Sequence, residues 1–138
     1  VTTIVATTEM MAADRRVTGS PMFGITKIQR IRGSLYGGAG NVEQILKMFE
    51  WFKNPDMKPD WKFGVEFEIL QLSAEGLFLW GGEMIAMPLD LPHYAIGSGG
   101  QLTLGALECG APPAEAIRVA HKFDPYTGRE LVVHKLKA

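Results

Sequence analysis

The chain has 138 residues, enough for one domain with a buried core, and residues 1–138 are read as a single unit. Its hydrophobic content of 46% and charged content of 21% describe a globular protein, not a disordered one. A net charge of -1 gives no electrostatic case for nucleic acid, and no apolar run reaches the roughly 18 residues needed to span a bilayer.

Residues 2–7 and 10–16 read as a tight β-hairpin whose strands are apolar on both faces, as in a sheet covered on two sides. Ile25 to Ile31 alternates at period two and reads as a third strand. Ser34-Leu35-Tyr36 is a short fourth, running into Gly37-Gly38-Ala39-Gly40. Asn41 is an N-cap for a helix to about Lys53, with Val42, Ile45, Leu46, Phe49 and Phe52 on one apolar stripe. Met48 and Trp51 fall off that stripe, which means either a wide core face or a subunit contact. Phe63 to Ser73 and Leu77 to Met87 read as two strands joined by Ala74-Glu75-Gly76, and His93 to Ile96 as another. A helix follows over 98–109, closed by Gly110, then a proline-led helix over 113–122 and a last strand from Glu130 to Leu136. Strands joined by hairpins, with helices grouped apart from them, point to antiparallel sheets with helices packed outside.

The start of the chain carries a chemical option. Once Val1 is removed, Thr2 presents a hydroxyl and a free α-amine on one residue. The amine, which at an ordinary chain end titrates near pH ~8, serves as the base for its own hydroxyl. Considered alone, Thr2 and Thr3 are simply β-formers.

Six short pieces occur in a fixed order: Thr2-Thr3-Ile4-Val5, Ala12 to Thr18, Lys27-Ile28, Tyr36 to Gly40, Ile96 to Gly100, and Asp124 to Gly128. In this order the chain resembles proteasome β-subunits and the bacterial peptidase HslV, within the N-terminal-nucleophile hydrolases, in a short form of bacterial or phage type. The resemblance implies an α+β fold, a four-layer αββα sandwich. Helix 41–53 would lie on one side and helices 98–109 and 113–122 on the other. Only Asn54 to Trp61, with Pro55 and Pro59, stands where the family has a second helix, so the first helical layer would be reduced.

The resemblance also implies roles. Thr2 falls on the nucleophile, Asp14 and Lys27 on the ion pair that favours its ionised form, and Gly37 on the oxyanion N–H. Ser98, Asp124 and Thr127 fall on the group around the terminal amine. Val17, Thr18, Leu35 and Ala39 fall on the substrate cleft, with Leu35 lining an apolar specificity pocket. The implied function is a threonine endopeptidase of a self-compartmentalising, homo-oligomeric ring or double ring in the cytoplasm. It would cleave peptides or unfolded proteins and work with an ATP-dependent unfoldase. A proteolytically inactive oligomeric shell or binding protein on the same fold is the alternative.

Each residue also has a purely structural role open to it. Asp14–Lys27 would be an ordinary salt bridge, Gly37 a close-packing site, Ser98 an N-cap, and Asp124 with Thr127 an Asp-Pro turn. Other chemistries fit less well. Gly37 to Gly40 is followed by no Gly-Lys-Ser/Thr, so it is a poor phosphate loop. The single cysteine, Cys109, stands at a helix end with no histidine in its motif. His93, His121 and His134 lack metal-site spacing, and no cofactor or metal is expected.

Overall fold

The computed structural model describes residues 3–14, 28–57, 66–81, 85–124 and 131–137. Two antiparallel sheets lie face to face. One has the order β8-β1-β2-β9, from β1 (Thr3–Thr7), β2 (Met10–Asp14), β8 (His93–Gly97) and β9 (Leu131–Lys135). The other has the order β3-β4-β5-β6-β7, from β3 (Ile28–Ile31), β4 (Ser34–Gly40), β5 (Phe67–Ser73), β6 (Gly76–Trp80) and β7 (Ala86–Leu89). Helix α1 (Val42–Lys53) covers the second sheet, and helices α2 (Gly100–Glu108) and α3 (Pro113–Phe123) cover the first. This is the four-layer αββα sandwich, with α1 the only helix on its side among the described residues.

Each layer boundary has its own core. Ile4, Met11 and Ile96 meet Leu35, Leu70 and Leu72 between the sheets. On the outer faces, Val5, Ala12 and Ala95 pack under Leu107, Ala116 and Ile117, while Tyr36, Phe67 and Ile69 pack under Ile45, Met48, Phe49 and Phe52. Adjacent residues such as Ile4 and Val5 therefore serve different cores, which is why these strands are apolar on both faces.

The turns follow from local chemistry. Thr7 Oγ1 accepts the N–H groups of Glu9 and Met10 at 3.2 and 3.3 Å and closes the first hairpin. Arg32 and Gly33 both have positive φ, 51° and 85°, the mark of a type I′ turn between β3 and β4. Asn41 Oδ1 accepts the Gln44 N–H at 2.9 Å and starts α1. After α2, Gly110 at φ 95° donates its N–H to Leu107 O and Ala111 donates to Ala106 O, which together make a Schellman motif.

The structure departs from the sequence reading in four places. Gly37 to Gly40 is not a loop after a short strand; it is the second half of β4, paired with Phe67 to Leu70. The run from Leu77 to Met87 is two strands, since β6 ends at Trp80 and β7 returns beside it from Ala86. Helix α2 begins at Gly100 on an N-cap of Gly99, so Ser98 is not its cap. The buried face of α1 is turned by about one position, which brings Met48 in and leaves Leu46 half-buried. Met48 is fully buried in the chain's own core, and Trp51 packs edge-on to Trp80 at 5.8 Å with its Nε1 donating to Pro55 O. The apolar surface expected for a neighbouring subunit is thus used within the chain at Met48, while Trp51 stays half-exposed.

The direction of the backbone groups along β4 can be fixed. Asn41 N–H donates to Glu66 O at 3.0 Å, one pair beyond the ladder in which Gly37 faces Leu70 and Ala39 faces Glu68. Hydrogen-bonding direction alternates along an antiparallel strand. Leu35, Gly37 and Ala39 therefore turn their N–H and C=O groups toward β5, and Tyr36, Gly38 and Gly40 turn theirs toward β3. The two-residue turn at Arg32-Gly33 gives the same phase, since Ile31 and Ser34 form its closing pair. Carried across β5 and β6, the alternation leaves the Pro88 nitrogen on the outer side of β7.

Candidate active site

Four strand ends of the first sheet meet at Thr3. It stands opposite Asp14 on one side and Gly97 on the other, and Asp14 stands opposite Leu131. The Thr3 N–H donates to Asp14 Oδ1 at 2.9 Å. Both residues are wholly buried. A buried carboxylate has to be hydrogen-bonded or paired, and here a backbone N–H from the first described residue of β1 is one of its partners.

Ser98 follows Gly97, whose positive φ of 95° turns the chain at the end of β8. Ser98 Oγ donates to Asp124 Oδ2 at 2.6 Å, a short charge-assisted bond. Asp124 caps the C-terminus of α3, where the helix dipole is unfavourable for a carboxylate. The hydroxyl donor offsets that placement and ties the end of α3 to the end of β8. Thr3, Asp14, Ser98 and Asp124 thus gather at one end of the strands of the first sheet.

Thr2, Val17, Thr18, Lys27 and Thr127 lie outside the described residues. Thr2 is bonded directly to Thr3, and Lys27 directly to Ile28 at the start of β3. Leu35 is wholly buried between the sheets, and Ala39 nearly so. Gly37 does have a packing reason to be glycine: a Cβ there would lie 2.7 Å from Ile4 Cγ2. Its N–H, however, points into the β4–β5 ladder. The N–H turned to the β3 side at this level is that of Gly38, whose register partner Lys27 lies outside the described residues. The sequence held the signal for this in the two-residue turn at Arg32-Gly33, which fixes the phase of β4.

Glu68, opposite Ala39, keeps an exposed side chain, and partial desolvation raises its carboxyl above its ordinary value. Among the described residues no group of His, Cys, Asp and Glu could hold a metal ion, and no helix is long and apolar enough to cross a membrane.

No family model matches the chain, and no curated protein matches it. Solved structures do. Eukaryotic HslV from Trypanosoma brucei superposes with a TM-score of 0.72 at 20% identity, over 96% of this chain and 98% of that one. Thiobacillus denitrificans BPH in complex with epoxomicin gives 0.71 at 17% identity, over 99% of each chain. BPH from the same organism in a second structure gives 0.71 at 18% identity, over 99% of this chain and 98% of that one. The likeness to HslV drawn from short motifs holds over nearly the whole chain as a likeness of fold.

Proposed function

We propose that this chain, built on the fold of HslV and BPH, is a threonine-type peptidase whose nucleophile is Thr2 once the residue before it has been removed. The observation that carries the reading is the Thr3–Asp14 hydrogen bond. It pins the start of β1 beside a buried carboxylate, next to the Ser98–Asp124 pair. A terminal nucleophile needs this kind of anchoring, because chain ends are otherwise poorly ordered.

In this reading the Thr2 amine takes the proton of the Thr2 hydroxyl, directly or through a water oriented by Ser98, with Asp124 and Thr127 holding the amine in place. Lys27, kept charged by Asp14, lowers the cost of the alkoxide. The alkoxide oxygen bonds to the carbonyl carbon of the scissile peptide. The tetrahedral oxyanion is stabilised by a backbone N–H of the Gly37-Gly38 stretch of β4. The C–N bond then breaks, the amine returns the proton to the leaving group, and a water hydrolyses the Thr2 ester. Val17, Thr18 and Ala39 line the cleft, with Leu35 beneath it in the core. Assembly into a homo-oligomeric ring or double ring, fed with unfolded chains by an ATP-dependent unfoldase, belongs to the same reading.

BPH forms a complex with epoxomicin, which supplies the probe. A preparation beginning at Thr2 is expected to gain the mass of an epoxyketone, and one beginning at Val1 is not, because an amide nitrogen accepts no proton at neutral pH. Thr2→Ala and Lys27→Ala should each abolish the adduct. Light scattering on the labelled sample should report an oligomer. Equal labelling of the two forms would show that the terminal-amine mechanism is wrong. No labelling of either favours the inactive shell.

A further inference from the structure

On the face of the second sheet that looks toward the first, β4 and β5 present three opposed pairs: Leu35 with Leu72, Gly37 with Leu70, and Ala39 with Glu68. Opposed residues share a face, and Leu35, Ala39, Leu70 and Leu72 all belong to the core between the sheets. Glu68 is therefore on that inner face. Leu35 and Leu72 are wholly buried. The middle pair is covered by Ile4, since a Cβ on Gly37 would lie 2.7 Å from Ile4 Cγ2. Of the three, the last pair alone reaches solvent, through the exposed side chain of Glu68. Glu68 is also the only acidic residue in the described strands of the second sheet. Partial desolvation raises its carboxyl, and among the described residues no donor or cation counters that rise. A cation brought to this carboxylate would favour its ionised form.

We propose that Glu68 is a specificity-determining residue of the substrate cleft, and that the substrates it selects carry lysine or arginine close to the scissile bond. This rests on the peptidase reading, in which Ala39 lines the cleft. The Ala39–Glu68 pair stands one step, about 7 Å, along β4 and β5 from the pair that Ile4 covers. Ile4 follows Thr3, whose N–H is held by Asp14. The carboxylate is thus on the solvent side of the row that touches β1 near its start. A long basic side chain fits this row. Its apolar stem suits Leu70 and Ala39, and its cationic end suits Glu68. Ala39 is small enough to leave room for the stem beside the carboxylate. An apolar side chain would leave Glu68 desolvated without a partner, and an acidic one would meet a like charge.

The test uses the chain beginning at Thr2 and pairs of peptide epoxyketones. Members of a pair differ only in lysine against norleucine at one of the three residues nearest the epoxide. Norleucine keeps the stem and lacks the cation. At one of these positions the lysine compound should label faster by about threefold to fivefold, through tighter binding and not a faster maximal rate. Glu68→Gln keeps the size of the side chain and should bring the two compounds to equal rates. Glu68→Lys should turn the preference toward a glutamate compound. Glu75→Gln removes the same charge from the turn at the other end of β5 and should keep the lysine preference. Both compounds share one reactive group and one nucleophile, so their ratio is free of the titration of the Thr2 amine. That ratio should fall toward one as pH drops through the raised value of the Glu68 carboxyl, because the protonated group no longer attracts a cation. A lysine preference that survives in Glu68→Gln, or that is lost equally in Glu75→Gln, overturns the proposal. Equal labelling of the wild type by both members of every pair overturns it too and leaves the peptidase reading standing. A wild type labelled by no compound overturns the peptidase reading itself, and this proposal with it.

Discussion

The two outer layers of the sandwich solve one problem with different volumes. The layer under α1 is built from large groups: Met48, Phe49 and Phe52 on the helix meet Tyr36, Phe67 and Ile69 on the sheet. Tyr36 and Phe52 stack at 4.4 Å, and Trp80 reaches Phe52 at 4.9 Å while its Nε1 donates to Gln71 at 2.9 Å. The layer under α2 and α3 uses smaller ones and no aromatic ring, with Val5, Ala12 and Ala95 facing Leu107, Ala116 and Ile117. Bulky side chains let one helix cover a wide strip of sheet. Alanines on both sides bring the backbones close, and a second helix is then needed to cover the same width. Helix number alone is thus a poor guide to how completely a sheet is covered.

Truncating an aromatic anchor is the hardest blow to this arrangement. Phe49→Ala should cost about 3–5 kcal/mol, read as a fall in the denaturant midpoint, because Phe49 is almost wholly buried among Tyr36, Met48, Phe52 and Ile69. The opposite change tests the small-residue layer. Ala116→Leu should destabilise by about 1–3 kcal/mol through overpacking, although leucine is a strong helix former; a stabilised variant would mean that α3 does not lie close on the sheet. The smallest effect concerns how the layers start. Asn41→Ala should cost about 1 kcal/mol by leaving the Gln44 N–H without its acceptor, whereas α2 begins on Gly99 with no side-chain cap to lose. A thermal shift within error for Asn41→Ala would assign the start of α1 to its packing alone.

Most elements are legible because their signals are local. The Asn41 cap, the hairpin at Ala74-Glu75 and the stop at Gly110 depend on a few adjacent residues, and all three stand in the structure; the α1 stripe stands only after a turn of about one position. Sequence and structure part where tertiary packing overrides composition. Gly37 to Gly40 has the composition of a loop but is strand paired with β5, and Gly37 and Gly38 are glycine because Ile4 and Ile45 leave no room for a side chain at either. Leu77 to Met87 reads as one apolar strand until Gly81-Gly82 is taken as a place where the chain can reverse. In the site, Asp14 is legible from the motif order. The bond it makes to the Thr3 N–H is not, because it joins the first and last residues of a hairpin across a register set by the turn at Thr8-Glu9. Motif order points to Gly37, but composition does not show in which direction its N–H is turned.

Pro88 has a consequence for how copies of this chain can meet. Its nitrogen faces outward in the middle of β7, the last strand of the second sheet, flanked by exposed Met87. An edge strand with free donors is a template on which another chain can zip up, residue by residue. Here the template has a gap, because a proline ring stands where the central donor would be. A neighbour cannot extend this sheet through a continuous ladder and must approach β7 through side chains instead. The same gap denies misfolded copies a flat edge for fibrillar growth, so a chain crowded against many others of its kind is guarded at the strand that would otherwise recruit them.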